Sequence, residues 1–150
     1  MLENYAVNIA IERAPAYLWS NIQWGWVLFL TFFSFILGAF WHQRFHILGR
    51  IWSHENYPQG FPEKRSMNLR LMFGSSALGH FILLTTLSAI VSRHGNSLGL
   101  TIGLGISVVF VLATMAPTYF FAGRSWKLLA VDAGFYVVLL GLAGAILGNR

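Results

Sequence analysis

Four long apolar stretches constrain this chain more than any other feature of its sequence. They run over residues 22–41, 69–92, 98–121 and 126–147. Each is long enough to cross a hydrocarbon core as a helix, which takes about 20 residues. Because the stretches are continuously apolar and do not alternate, a transmembrane β-barrel is excluded. We therefore predict an all-α integral membrane protein built as a bundle of four transmembrane helices.

The composition supports a membrane protein and excludes other classes. Charged residues make up only 10% of the chain, whereas soluble domains average about 25%. So few charges could not cover a water-facing surface, which excludes an ordinary soluble enzyme, a disordered chain and a nucleic-acid-binding module. The net charge of +5 indicates contact with the bilayer and its anionic lipid headgroups, and not with nucleic acid.

The polar segments lie at the N-terminus and between the first two spans. We interpret residues 1–150 as a single membrane domain in which residues 1–20 form a short interfacial segment, because this stretch is too polar to span. Residues 42–67 are the only long loop, and its first part either extends span one or turns along the membrane surface. Ser20 and Gln23 have the spacing of a capping box at the start of span one.

Basic residues are divided unequally between the two sides of this arrangement. With four spans, both termini share one side, which also holds Arg13, Arg93 and Arg150. The other side holds the remaining basic residues: Arg44, Arg50, Lys64, Arg65, Arg70, Arg124 and Lys127. Loops rich in Lys and Arg face the cytoplasm. We therefore expect loop 42–67 in the cytoplasm and both termini outside it.

Asp132 is the only acidic residue inside a predicted span. A carboxylate in hydrocarbon is costly unless it is paired, hydrated or protonated, so Asp132 should face the protein interior. It is either a proton-titrating or substrate-binding group, or a structural acid paired with Arg124 or Lys127. Lys127 lies five positions before Asp132, about 140° around the helix, which disfavours that pair. Candidate partners from another span or loop are Arg70, favoured by its depth, His80, and a loop arginine such as Arg44.

Histidines offer further candidate sites. His80 lies near the middle of span two, where it is either a structural residue satisfied by neighbouring hydroxyls or a group that titrates near neutral pH. His42 and His46 are spaced i, i+4 and would share a helix face, which makes them weak candidates for a metal site. Nearby Arg44 and Arg50 repel cations, and no haem-attachment motif exists. We therefore expect neither a metal nor a cofactor.

Glycines at four-residue spacing mark two of the spans. Gly99 and Gly103 open span three, and Gly144 and Gly148 close span four. Such spacing lets helix backbones approach closely in lipid. The spacing does not separate packing within the bundle from packing between subunits. We expect a homo-oligomer, because a four-helix bundle can hide only some of these surfaces.

Several short segments together form a recognisable pattern. They are Ala116-Pro117-Thr118, Gly123-Arg124-Ser125-Trp126-Lys127-Leu128, Asp132-Ala133-Gly134-Phe135-Tyr136, Gly144-Ala145-Ile146-Leu147-Gly148, and Gly38-Ala39-Phe40-Trp41 followed by Gly49-Arg50 and Trp52. The pattern resembles the small bacterial four-span membrane proteins grouped as domain of unknown function 1761. Where that family usually has Tyr-Ser-Pro, this chain has His42-Gln43-Arg44. The resemblance implies a bacterial inner-membrane protein and supplies no catalytic assignment.

Three functions agree with these features. The first is transport or permeation, proton-linked or of a small molecule, by an oligomer in which Asp132 and His80 are the polar lining. The second is a non-catalytic membrane scaffold or accessory subunit. The third is a membrane enzyme acting on lipophilic substrates, with an anionic cosubstrate held by the basic loops. No acid–base pair or nucleophile constellation supports the enzyme.

The predicted topology can be tested by labelling single cysteines in intact cells. Because the basic loops face the cytoplasm, Asn4→Cys and Asn149→Cys should react with an impermeant thiol reagent, and Gln59→Cys should not. The native chain has no cysteine, so it is the background control. Labelling of Gln59→Cys alone would invert the topology.

Overall fold

The computed structural model describes residues 19–60, 68–92 and 94–149, which form helices joined by turns. The elements are α1 (Trp24–Trp41), α2 (Ile47–Asn56), α3 (Leu69–Val91), α4 (Asn96–Ile106), a π-helical segment (Ser107–Leu112), α5 (Ala113–Phe121) and α6 (Trp126–Leu147). α4, the π-helical segment and α5 together form one span, Asn96–Phe121. Four helices are thus long and apolar enough to cross a membrane. The prediction of an all-α, multi-pass membrane protein is confirmed.

The start of α1 differs from the sequence prediction. The capping box is wrong: the Gln23 side chain makes no capping bond and instead donates from Nε2 to the Leu147 carbonyl at 2.6 Å. The Gln23 backbone N–H donates to Ser88 Oγ at 3.0 Å. These two bonds tie the start of α1 to the ends of α3 and α6. The predicted interfacial segment lies almost wholly outside the described residues.

The loop between α1 and α3 contains a helix of its own. α1 ends at Trp41, and α2 begins at Ile47 after a turn, so span one does not simply continue past the membrane surface. His46 caps α2, because its Nδ1 accepts from the Gly49 backbone N–H at 3.3 Å. α2 packs against α6. Gly49 permits the turn, because a Cβ at this position would overlap backbone atoms of Gln43.

α6 is the central helix of the bundle. Half of its most apolar stretch is buried inside the protein, against 17–22% for the other three spans. It packs against every other element: α1 and α4 run antiparallel to it, and α3 runs parallel to it. The outer faces of the remaining spans expose large apolar side chains such as Phe32 and Leu78. Such a surface matches contact with lipid tails.

The four spaced glycines are used inside the bundle. A Cβ added at Gly99 or Gly144 would overlap the backbone of the other residue, and one at Gly103 would overlap the Leu140 carbonyl. A Cβ at Gly148 would lie 2.6 Å from the Gly95 carbonyl oxygen. α4 and α6 therefore meet backbone to backbone. The expected homo-oligomer stays a prediction, and these glycines do not supply its interface.

The third span changes its helical repeat before Pro117. The π-helical segment Ser107–Leu112 precedes α5, which contains Pro117. A wider π turn shifts the residues after it around the helix axis relative to a continuous α-helix. Met115 and Tyr119, which follow the segment, both line the cavity beside α6.

The backbone contact between α4 and α6 can be tested with a matched pair of substitutions. Gly144→Ala should destabilise the protein by about 1–3 kcal/mol, because its methyl group would press on the Gly99 carbonyl. Gly105→Ala is the control, since nothing lies within 4 Å of a Cβ at that position. Thermal melting in mild detergent measures both. Equal melting temperatures for the two variants would contradict close packing at Gly144.

Candidate functional site

Asp132 is held by side chains from two other helices. Its Oδ2 accepts a hydrogen bond from the Tyr119 hydroxyl at 2.6 Å. Its Oδ1 lies 3.2 Å from Nε2 of His42, the residue that directly follows α1. The Asp132 side chain is only 16% exposed, and that of His42 is 28% exposed. The prediction that Asp132 faces inward and is paired with another element is therefore met, but by different partners.

The predicted partners of Asp132 lie elsewhere. Among the described residues, the ion pairs are His42–Asp132 and His54–Glu55, so Arg70, Arg124 and Lys127 form none with Asp132. Arg124 instead places its guanidinium 5.4 Å from the centre of the Tyr119 ring. The physical reason is the end of α1: the chain stops being helical at Trp41, and the next side chain turns over α6.

Two neighbouring contacts hold His42 in this position. The Trp41 indole N–H donates to the Val131 carbonyl at 3.0 Å, which fastens the end of α1 to α6. Gly134 provides the room, since a Cβ there would lie 3.3 Å from the Trp41 ring. The Trp52 ring of α2 lies with its centroid 5.0 Å from that of His42. The imidazole is thus fixed from three sides.

Both ring nitrogens of His42 face hydrogen-bond acceptors. Nδ1 lies 2.8 Å from the Gly38 carbonyl oxygen, which can only accept, so Nδ1 carries a proton. Nε2 faces the carboxylate of Asp132. A charged imidazolium donates to both acceptors, whereas a neutral one requires Asp132 to hold the proton instead. These contacts therefore favour a protonated His42 that donates to both Gly38 and Asp132.

The charge state of His42 follows from these contacts. Burial lowers the pKa of His42, but the hydrogen bonds to Asp132 and Gly38 and the charge of Asp132 together outweigh it. The pKa of His42 therefore lies above its ordinary value. An imidazole shifted in this direction changes charge close to physiological pH.

A cavity of about 550 Å³ opens beside this pair, between α1, α3, α5 and α6. Its walls are mainly aromatic rings and methionines, with a few polar side chains. The lining residues are Ser34, Phe35, Gly38, Ala39, His42, Met72, Phe73, Ser76, His80, Met115, Tyr119, Asp132, Phe135 and Tyr136. Apolar walls with a small number of convergent polar groups are typical of small-molecule sites.

His80 lines the same cavity without pairing with Asp132. Its Nδ1 lies 3.3 Å from Ser76 Oγ, and its ring stacks on Tyr136 with centroids 6.0 Å apart. Nε2 of His80 and Oγ1 of Thr85 are buried and have no hydrogen-bond partner among the described residues. His80 and Asp132 thus line one cavity within a single copy of the chain, but they form no direct pair.

A second cavity of about 660 Å³ continues from the first. The two share Ser76, His80 and Tyr136 as lining residues, and the second extends along α3 to Thr86. Thr86 lies six residues beyond His80, about 9 Å along the helix axis. Polar groups thus follow α3 from the Asp132 end of the bundle toward its other end.

His42 and His46 do not form a helical ligand pair. The first span ends at Trp41 and α2 begins at Ile47, so neither histidine lies in a helix. His42 bonds Gly38 and Asp132, while Nε2 of His46 donates to the Phe40 carbonyl at 2.5 Å. Within residues 19–60, 68–92 and 94–149, no group of three or more His, Cys, Asp or Glu side chains could hold a metal ion.

Sequence reasoning missed two members of this site. His42 was considered only as a partner of His46, although it directly follows the span and lies at about the same predicted depth as Asp132. Tyr119 was not singled out, because its direction depends on the π-helical segment before it. A single aromatic hydroxyl near a span end gave no signal of its own.

Comparison with known proteins gives one match. The family model described as "Protein of unknown function (DUF1761)" matches residues 26–148 of the chain. The matched region contains His42, Tyr119, Asp132 and His80. No curated protein and no solved structure matches the chain.

The contact between His42 and Asp132 predicts that the stability of the protein depends on pH. Because the pKa of His42 is raised on folding, its contribution is fully present below the ordinary imidazole value of 6.5 and is lost as pH rises through the folded value. The melting temperature of the wild type should therefore fall as the pH rises above 6.5, and Asp132→Asn should flatten this fall. His94→Gln, an exposed histidine at the α3–α4 turn, is the control. If the melting temperatures of the wild type and Asp132→Asn depended equally on pH, the claim that Asp132 raises the pKa of His42 would be contradicted.

Proposed function

Because the chain belongs to the family described as "Protein of unknown function (DUF1761)", its role has to be inferred from its own residues, and we propose that it is a proton-linked transport or permeation protein. In this proposal a small molecule enters the cavity between α1, α3, α5 and α6. The pair His42–Asp132 exchanges a proton as the molecule binds or leaves. The single observation that carries the proposal is that Nε2 of His42 lies 3.2 Å from Oδ1 of Asp132 at the cavity wall, while Nδ1 of His42 faces the Gly38 carbonyl.

The chemistry of one exchange is simple. With the proton on His42, the pair is neutral overall, and Asp132 accepts from both His42 and Tyr119. A molecule that donates a hydrogen bond to the carboxylate competes with His42 for Asp132. Loss of that contact removes the attraction that raises the pKa of His42, so its proton leaves to water. Release of the molecule reverses the exchange.

The cavity supports a molecule of modest size with an apolar body. Its volume of about 550 Å³ lies within the range of about 300–1,000 Å³ that is usual for small-molecule sites. Phe35, Phe73 and Phe135 offer ring surfaces for an apolar group. Asp132 and His80 offer polar contacts at separate points of the wall.

The polar atoms along α3 support a route away from Asp132. Buried polar groups in proteins nearly always have a hydrogen-bond partner. The unsatisfied Nε2 of His80, a residue that lines both cavities, is therefore suited to contact water or a polar group of the transported molecule. Both cavities meet at His80, which makes this residue the proposed midpoint of the route.

The cellular setting is part of the same proposal. We place the protein in the bacterial inner membrane, with both termini outside and the Asp132 end of the bundle in the cytoplasm, on the basis of the Lys and Arg distribution. The cavity is formed by helices of one copy, so the route does not require a pathway between subunits. The homo-oligomer remains a prediction.

A scaffold is the alternative that the same contacts permit, because the His42–Asp132 pair also fastens α1 to α6. Flux separates the two functions. Purified protein in liposomes that contain a pH-sensitive dye should relax an imposed pH gradient faster than empty liposomes, and small amphiphilic amines should change the rate. Asp132→Asn should lower the protein-dependent rate by about 100-fold or more, in the range of proton-transfer groups.

The control for this assay removes a different acid. Glu55→Gln alters a carboxylate of α2 that does not line the cavity, and it should leave the rate unchanged. A folded Asp132→Asn that relaxes the gradient as fast as the wild type would remove Asp132 from the mechanism. A wild-type rate equal to that of empty liposomes, with and without the amines, would favour the scaffold.

A further inference from the structure

A second set of polar side chains lies apart from Asp132, on one face of α2 and on Tyr57, which directly follows it. Arg50, Ser53, His54 and Tyr57 follow the spacing i, i+3, i+4, i+7, which places them on one side of the helix. With Arg44 they line an open cavity of about 410 Å³. No residue of this cavity lines the cavity beside Asp132.

Arg44 comes to this face from the turn before α2. Its Nε donates to Ser53 Oγ at 2.7 Å, and Ser53 is itself buried, with 6% exposure. The bond fixes one edge of the guanidinium at the rim of the cavity. A guanidinium anchored in this way loses less conformational freedom when it binds a further group.

The start of the same segment also carries exposed apolar side chains. Phe45 and Ile47 are 69% and 67% exposed, and Leu48 is 36% exposed. Leu48 lies on the opposite side of α2 from the basic cavity, whereas Ile47, three residues before Arg50, lies at the edge of the cavity face. A helix with an apolar edge and a basic face, directly after a membrane span, lies along the membrane surface. The basic cavity is then at the level of the lipid headgroups.

We propose that this cavity, formed by Arg44, Arg50, Ser53, His54 and Tyr57, binds a phosphate group. Guanidinium groups match phosphate oxygens in geometry and charge, and an imidazole and a phenol hydroxyl can donate to the same group. No carboxylate lines the cavity among the described residues. The nearest acid shown is Glu55, whose Oε1 lies 3.9 Å from His54 Nδ1. Glu55 itself does not line the cavity.

The phosphate can come from an anionic lipid headgroup or from a soluble phosphate. The proposal does not depend on transport, because it uses none of the residues assigned to proton exchange. Failure of one proposal therefore leaves the other unchanged.

The test compares three ligands with purified full-length protein in a neutral detergent. Short-chain phosphatidylglycerol, short-chain phosphatidylcholine and inorganic phosphate are titrated separately, and binding is measured by native mass spectrometry and by the fluorescence of Trp52, which contacts Tyr57 with ring centroids 6.1 Å apart. Phosphatidylglycerol or inorganic phosphate should bind more tightly than phosphatidylcholine. Tight binding of the lipid alone identifies a headgroup site, and binding of inorganic phosphate identifies a site for soluble phosphate.

Two variants change the charge at matched places. Arg50→Gln should weaken binding of the preferred ligand by about tenfold or more, as expected for loss of a charged hydrogen-bond donor. Lys127→Gln is the control: it removes one positive charge at an exposed position outside the cavity lining and should leave binding within about twofold. His54→Gln, at a side chain that is 80% exposed, should also weaken binding while the melting temperature stays unchanged.

Three results would overturn the site. The first is equal weakening of ligand binding by Arg50→Gln and Lys127→Gln, which indicates diffuse electrostatic attraction. The second is unchanged ligand binding in Arg50→Gln and His54→Gln when both variants are folded. The third is equal binding of phosphatidylglycerol and phosphatidylcholine together with no binding of inorganic phosphate.

Discussion

The direct contact between the backbones of α4 and α6 underlies the arrangement of this bundle. Lipid tails are as apolar as the side chains they surround, so helices in a membrane gain little from hiding apolar surface and depend on close packing. At Gly99, Gly103, Gly144 and Gly148 the absent Cβ atoms let the two helices meet along their carbonyls. α6 is thereby held at the centre, and its remaining surface is open to α1, α2 and α3.

This position of α6 determines where its polar residue can lie. One face of α6 packs against α4 at Gly141 and Gly144. Another face of α6 carries Asp132 and Phe135, which line the cavity. The end of α1 then supplies His42, and α5 supplies Tyr119. A carboxylate that would be costly in lipid is thus satisfied by two donors from neighbouring helices. The same contact between Asp132 and His42 raises the pKa of His42.

The sequence predicted the features that follow from local periodicity and failed on those that follow from helix ends. Span positions were readable because each apolar stretch is long, and the inward direction of Asp132 followed from the cost of exposing a carboxylate to lipid. His42 was missed as its partner because the turn after Trp41 depends on Trp41 bonding the Val131 carbonyl across the bundle. Tyr119 depends on the π-helical segment, for which the sequence carries no periodic signal.

The glycine contact also gives the molecule two mechanically different halves. Separating α4 from α6 would require interlocked backbones to slide past each other, and protein interiors packed this closely resist gradual deformation. α1 and α3 meet α6 through side chains, such as Phe135 against Gly38 and Tyr136 against His80, and not through interlocked backbones. We therefore expect the α4–α6 pair to be the rigid part of the bundle and the α1–α3 pair to be the part that can move. A change in the width of the cavity would then require α1 and α3 to move, and His42 and His80 would move with them.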